Sequence, residues 1–164
     1  MNDDKGQLSG EYLLLIGSLI VVLMMSISVI INEHELNMVM AAAKSGVNEG
    51  AASSSSAVYP KETFNGYDDK IGLRHPYSVN ILNISYNSTG FDKNYGKQKI
   101  QFKVYARASQ DYDKKELDSI GDRINYNLRK SIAINFNSSD NTNNLYNPVF
   151  SNNYVFTTAD VVWI

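Results

Sequence analysis

Residues 12–31 carry no charge, and sixteen of these twenty side chains are apolar. The interruptions are Gly17, Ser18, Ser26 and Ser28, small residues of the kind that membrane helices accept. At about 1.5 Å per residue, twenty helical residues reach roughly 30 Å, the thickness of a bilayer's hydrocarbon layer. A helix on the surface of a globular core keeps a polar face, and this segment has none. It is therefore predicted to span a membrane or to form the core of a polymer of like helices. The alternative is a long central helix of a globular protein. The chain is 43% apolar over 164 residues, and this run holds a disproportionate share. The rest reads as a separate, more polar material.

A cleaved secretory signal fits the run poorly. Its leader holds Asp3 and Asp4 beside Lys5, where such a signal opens basic, and the run exceeds the usual 7–15 apolar residues. The small residues Ala41, Ala42 and Ala43 lie ten positions past its end. Lys5 on one side and Lys44 on the other leave the orientation open.

The helix is expected to continue beyond Ile31. Residues 33–44 contain good helix formers and neither Pro nor Gly. Leu36, Met40, Ala43 and Val47 recur at helical spacing, so this outer half is amphipathic. Gly46 and Gly50 are expected to weaken it, and the Ser-rich residues 53–60, ending in Pro60, read as a linker. Residues 61–164 then form a head with its own core.

The head reads mostly as strands. Residues 77–81 alternate apolar and polar, and Leu82, Ile84 and Tyr86 continue on the shifted phase, which predicts a bulge or a strand buried on both faces. In residues 99–109, Ile100, Phe102, Val104, Ala106 and Ala108 are expected to point inward. Asn87, Ser88, Thr89 and Gly90, with Tyr95 and Gly96, supply turn residues for a long hairpin between the two strands. Leu117, Ile120, Ile124, Leu128 and Ile132 mark one helical face, opened by a capping box of Asp113 and Glu116 and weakened at Gly121. Eight Asn in residues 135–153 predict turns and loop. Residues 154–158 and 161–164 read as closing strands, with the apolar C-terminus tied into the sheet. The expected class is α+β: a long hydrophobic N-terminal helix, then a β-rich, sandwich-like and mainly antiparallel head containing one amphipathic helix.

The chemistry of the chain excludes several functions. With 15 basic and 17 acidic residues, the net charge of -2 offers no basic face for nucleic acid. Without Cys there is no disulfide framework, thiolate nucleophile or Cys-built zinc site. His34, between Glu33 and Glu35, reads as a solvated turn of helix rather than a metal ligand. The acids Asp111, Asp113, Asp118 and Asp122 lack the spacing of a calcium loop, since Lys114 and Lys115 follow Asp113. There is no Gly-rich phosphate loop, metalloprotease helix or nucleophile elbow. His75 before Pro76 leaves a Ser-His-Asp arrangement open without pointing to one. No enzyme activity, metal or cofactor is expected. Three Asn-x-Ser/Thr sequons begin at Asn83, Asn87 and Asn137. Their number is what this Asn- and Ser-rich composition supplies by chance. Asn87 and Asn137 lie near expected loops and are the better acceptors, while Asn83 falls in an expected strand.

Immediately before the apolar run stand Gln7, Ser9, Glu11 and Tyr12, preceded by the short charged leader that ends in Gly6. This Gln-x-Ser-x-Glu-Tyr pattern resembles the class III signal of archaeal type IV pilin precursors of the methanogen group. The resemblance covers about the first 30 residues. It implies that a prepilin peptidase cuts between Gly6 and Gln7, removing residues 1–6 and leaving residues 7–52 as the transmembrane and filament-core helix. A glycine suits such a cut because it lets a protease approach the backbone.

On spacing alone, Glu11 reads as a membrane-edge carboxylate meeting headgroups and water, or as a partner for an amine on Gln7 one turn earlier. The resemblance implies instead an assembly role, in which Glu11 meets the N-terminal amine of a neighbouring subunit. Gly10, Gly17 and Ser18 would allow close helix approach. The resemblance further implies an extracellular filament of identical subunits, often glycosylated, whose heads face host or neighbouring cells. An uncleaved single-span surface protein with a ligand-binding head, a tethered enzyme and a motility-filament subunit are the alternatives.

Overall fold

A computed structural model describes residues 3–56, 79–109 and 111–164, with side chains from residue 10 onward except those of residues 53–56. The chain divides into two compact units, Met1–Met38 and Val39–Ile164. The second is the folded head. Residues 57–78, which hold Pro60, His75 and the expected start of the first strand at 77–78, lie outside the described residues.

Helix α1 runs unbroken from Asp3 to Ser56. It therefore includes the first part of the expected linker, residues 53–56. Its last turns belong to the head unit, where Val39, Ala43 and Val47 are fully buried at one-turn intervals. Gly46 and Gly50, expected to weaken the helix, are instead its contact points with helix α2, Lys114–Asn135. A Cβ on Gly46 would lie 2.3 Å from the Asn127 carbonyl oxygen, and one on Gly50 would lie 2.8 Å from the Ile124 Cα. These contacts run antiparallel along the two helices, from Gly46 beside Asn127 to Gly50 beside Ile124. Only residues without a side chain allow two helix backbones to come this near.

Helix α2 forms as its pattern predicts. Its N-cap Asp113 accepts a 2.7 Å hydrogen bond from the Glu116 backbone N–H, and the Glu116 carboxylate accepts one at 3.1 Å from the Asp113 N–H. Two otherwise orphaned donors are satisfied at once. Ile120, Ile124, Leu128 and Ile132 form a fully buried stripe. Gly121 does not break this helix, and a Cβ there would lie in ordinary contact with the Val161 side chain, at 3.4 Å.

The strands are β1 (Val79–Asp92), β2 (Lys97–Ala108), β3 (Val149–Phe150), β4 (Tyr154–Thr158) and β5 (Val162–Trp163). They form one five-stranded sheet of order β1-β2-β4-β3, with β5 also on β2. The α+β layout is as expected, with a difference in pairing. The β1–β2 and β3–β4 pairs are antiparallel, but β4 and β5 both run parallel to β2. The described strands thus make a single mixed sheet rather than two stacked antiparallel ones. β4 pairs with residues 98–102 of β2 and β5 with residues 105–106, end to end along the same edge. Between them Ala159 donates its N–H to the Phe102 carbonyl at 2.8 Å.

The expected bulge is present at Leu82, where the register steps from Ile81 opposite Ala106 to Asn83 opposite Tyr105. Asn87 to Gly90, expected to be a turn, stay inside β1. The chain absorbs them as a second irregularity between Ser88 and Gly90, next to Gly90's φ of +100°, which a side chain would strain. The actual turn is residues 93–96, closed by the Gly96 N–H on the Asp92 carbonyl at 2.9 Å. Of the expected inward residues of β2, Ile100, Phe102, Val104 and Ala106 are buried and Ala108, at the strand end, is half-buried; Phe102 stacks obliquely on Phe156 with ring centres 5.7 Å apart.

The helix seam gives a direct prediction. Gly46→Ala is expected to destabilise the head by about 1–3 kcal/mol, the usual cost of overpacking a close contact. Gly17→Ala, with nothing within 4 Å of the new Cβ, is expected to change it by less than about 0.5 kcal/mol. Denaturant unfolding in micelles, followed by the fluorescence of the single Trp163 in β5, measures both.

Candidate functional site

The first surface with functional character is the bare helix. Among the described residues, Gly10–Ala52 is the one segment long and apolar enough to cross a membrane, with a mean hydropathy of 2.8 in its most apolar window. Its large apolar side chains between Tyr12 and Ile31 are each 43–76% exposed in the isolated chain. Such a surface is not stable in water and needs lipid or protein around it. The three serines within it do not break its character. Ser18 donates to the Leu15 carbonyl at 2.8 Å, Ser26 to Val22 at 2.9 Å and Ser28 to Met24 at 3.2 Å. Each hydroxyl is thus satisfied by its own helix, as hydrocarbon surroundings require.

At the head of this run, Gly6, Gln7 and Ser9 lie in the opening turns of α1, with their side chains outside the described set. Glu11 and Tyr12, among the first described side chains, are both exposed. Glu11 is the last carboxylate before the uncharged run. It therefore marks where the charged part of the sequence gives way to the uncharged run.

The second surface is the outward face of the hairpin. Asn83 stands opposite Tyr105, Ser85 opposite Lys103 and Asn87 opposite Gln101. Both asparagines are exposed, so the two sequons share one sheet face. Asn87 reaches solvent from a strand rather than from the expected turn. Asn137 is exposed just past the end of α2, at a φ of +49°, a conformation that asparagine tolerates better than most residues. Its backbone N–H bonds the Ile134 carbonyl at 3.2 Å.

The third region is where the β1–β2 turn meets the chain after α2 and after β3. A cleft opens there between Tyr95, Phe136 and Phe150, with Asn137 on its wall. Sequence patterning missed it, because its residues come from three separate loops and each reads alone as ordinary turn material. On the far side of α2 a smaller cleft gathers Asp118, Asp122 and Asp160 near Trp163. Among the described residues, no three His, Asp or Glu side chains lie close enough to hold a metal ion.

Arg129 lies between these regions. It donates to Thr158 of β4 and, at 3.3 Å, to the Leu145 carbonyl, pinning the loop after α2 to the sheet. Burial lowers its pKa from the ordinary arginine value, and the carboxylate of Asp122 acts in the opposite direction. Comparison of the chain with protein-family models, with curated proteins and with solved structures finds no match.

Proposed function

We propose that the chain is a structural subunit of an archaeal type IV pilus-like surface filament. The reading rests on one juxtaposition. The Gln7, Ser9, Glu11 and Tyr12 motif lies in the first turns of a single unbroken helix, at the start of a run to Ile31 whose apolar side chains are exposed on all sides and whose serine hydroxyls are internally satisfied. In this proposal the precursor enters the membrane through residues 12–31. A prepilin peptidase cuts between Gly6 and Gln7, and the same helix then packs against copies of itself in the filament core.

Glu11 would set the register by pairing with the new amine of Gln7 on a neighbouring subunit, because a carboxylate at the rim of an apolar bundle is costly unless paired. Gly10, Gly17 and Ser18 would let neighbouring helices approach closely. The head would remain outside the cell, contacting other subunits and the surfaces of neighbouring or host cells, without enzymatic activity or cofactor.

The deciding measurement is the N-terminal sequence of the mature protein. A start at Gln7 is expected. An intact Met1 would instead favour a single-span surface protein, and a start after Ala43 a cleaved secretory signal. Gly6→Val is expected to leave the precursor uncut, seen as a mass larger by the leader on intact-protein mass spectrometry. Glu11→Ala is expected to be cut normally yet to yield few or no filaments by electron microscopy; a normal yield would remove the assembly role of Glu11. In a host that performs N-glycosylation, glycopeptide mapping is expected to show higher occupancy at Asn137, in a loop, than at Asn83, within β1.

A further inference from the structure

The cleft beside Asn137 has a volume of about 540 Å³, within the range typical of small-molecule sites. Its chemistry is specific in what it contains and in what it lacks. Among the described residues no carboxylate lines it and Lys97 is its one cation. That lysine already donates to the carbonyls of Ser151 at 2.6 Å and Asn152 at 2.5 Å. The lysine thus braces the wall, and the cleft presents neither a free acidic cluster nor a dedicated anion clamp.

What remains is aromatic and amide. Tyr95 is about half exposed at 47% and is steadied by an edge-to-face contact with Phe150, the ring centres 5.1 Å apart. Around it stand the exposed amides of Asn137, Asn141 and Asn152. An amide carries both an acceptor oxygen and a two-hydrogen donor, which matches a pair of adjacent hydroxyls. An aromatic ring offers a flat apolar face to the C–H side of a pyranose.

Two buried side chains add to this. Ser138 and Ser151, 5% and 6% exposed, also line the cleft, and their hydroxyls have no hydrogen-bond partner among the described residues. Buried hydroxyls are ordinarily paired; these two oxygens are sealed from solvent, so they leave unmet hydrogen-bonding capacity just beneath the cleft rather than on its open surface. The wall is also preformed. The Ser138 N–H bonds the Ala133 carbonyl at 2.9 Å, and the Asn141 N–H bonds the Ser138 carbonyl at 3.1 Å.

We propose that this cleft binds a neutral pyranose unit of an oligosaccharide, with Tyr95 stacking on the ring and Asn141 and Asn152 reading its hydroxyls. The site uses only residues of the head unit and does not depend on the filament reading.

The test uses the full-length chain in lipid nanodiscs, free of sugar-based detergent. It is produced in a bacterium that attaches no N-glycan, so that Asn137 carries nothing. Neutral oligosaccharides ending in glucose, galactose, mannose or N-acetylglucosamine are screened by saturation-transfer NMR, and any that respond are titrated calorimetrically. At least one is expected to bind, and Tyr95→Ala and Asn141→Ala are each expected to weaken it about tenfold or more. Asp122→Asn, in the other cleft, is expected to leave it unchanged. Asn141 is exposed, so its variant keeps the fold, which Trp163 fluorescence verifies. Absence of saturation transfer to every sugar, or equal binding by the wild type and both cleft variants, overturns the proposal.

Discussion

The head depends on two helices touching backbone to backbone. Helix α1 reaches α2 without side chains at Gly46 and Gly50, and this contact brings Val39, Ala43 and Val47 into the buried interior of the same unit. On the other side of the contact stands α2, whose stripe of Ile120, Ile124, Leu128 and Ile132 is fully buried. Without the close approach, the end of a long helix would present apolar residues to water and α2 would lose part of its cover. The cost of two glycines in a helix, about 1 kcal/mol each relative to alanine, is offset by the packing they permit.

A second constraint works at the other end of the same helix. Residues 13–31 have no free side-chain donor to offer: the serine hydroxyls are turned onto carbonyls three or four residues back. The segment is thereby indifferent to whether its neighbour is an acyl chain or another helix, and shape rather than hydrogen bonding must choose between them. The head shows the opposite economy. Its loops are rich in asparagine and largely bond themselves: the Asn143 side chain accepts from the backbone N–H groups of Leu145 at 2.9 Å and Asn147 at 3.0 Å.

What could be read from the sequence was local. The Asp113–Glu116 capping box needs three residues of separation, the stripe of α2 needs four, and the bulge at Leu82 shows as a change of phase within one strand. Each is written in neighbouring residues, and each is present. What could not be read was set by distant partners. Gly46 and Gly50 look like helix breakers until Asn127 and Ile124 are placed against them. Asn87 to Gly90 have turn composition, yet pairing with β2 keeps them in a strand. The parallel pairing of β4 and β5 with β2 follows from the path of the chain around α2, which alternation cannot report. The Gln7–Tyr12 motif was legible as a pattern of residue types, whereas the cleft at Tyr95 was not, because three loops supply it.

The antiparallel seam between α1 and α2 has a mechanical consequence. A pull along the axis of α1 reaches the head spread over successive turns, from Asn127 beside Gly46 to Ile124 beside Gly50. It loads that seam in shear and not by peeling one contact at a time. Glycines suit such a joint for a reason separate from closeness. They carry no side chains that could swing to a new rotamer and yield, so α1 meets α2 at these two points through fixed backbone positions.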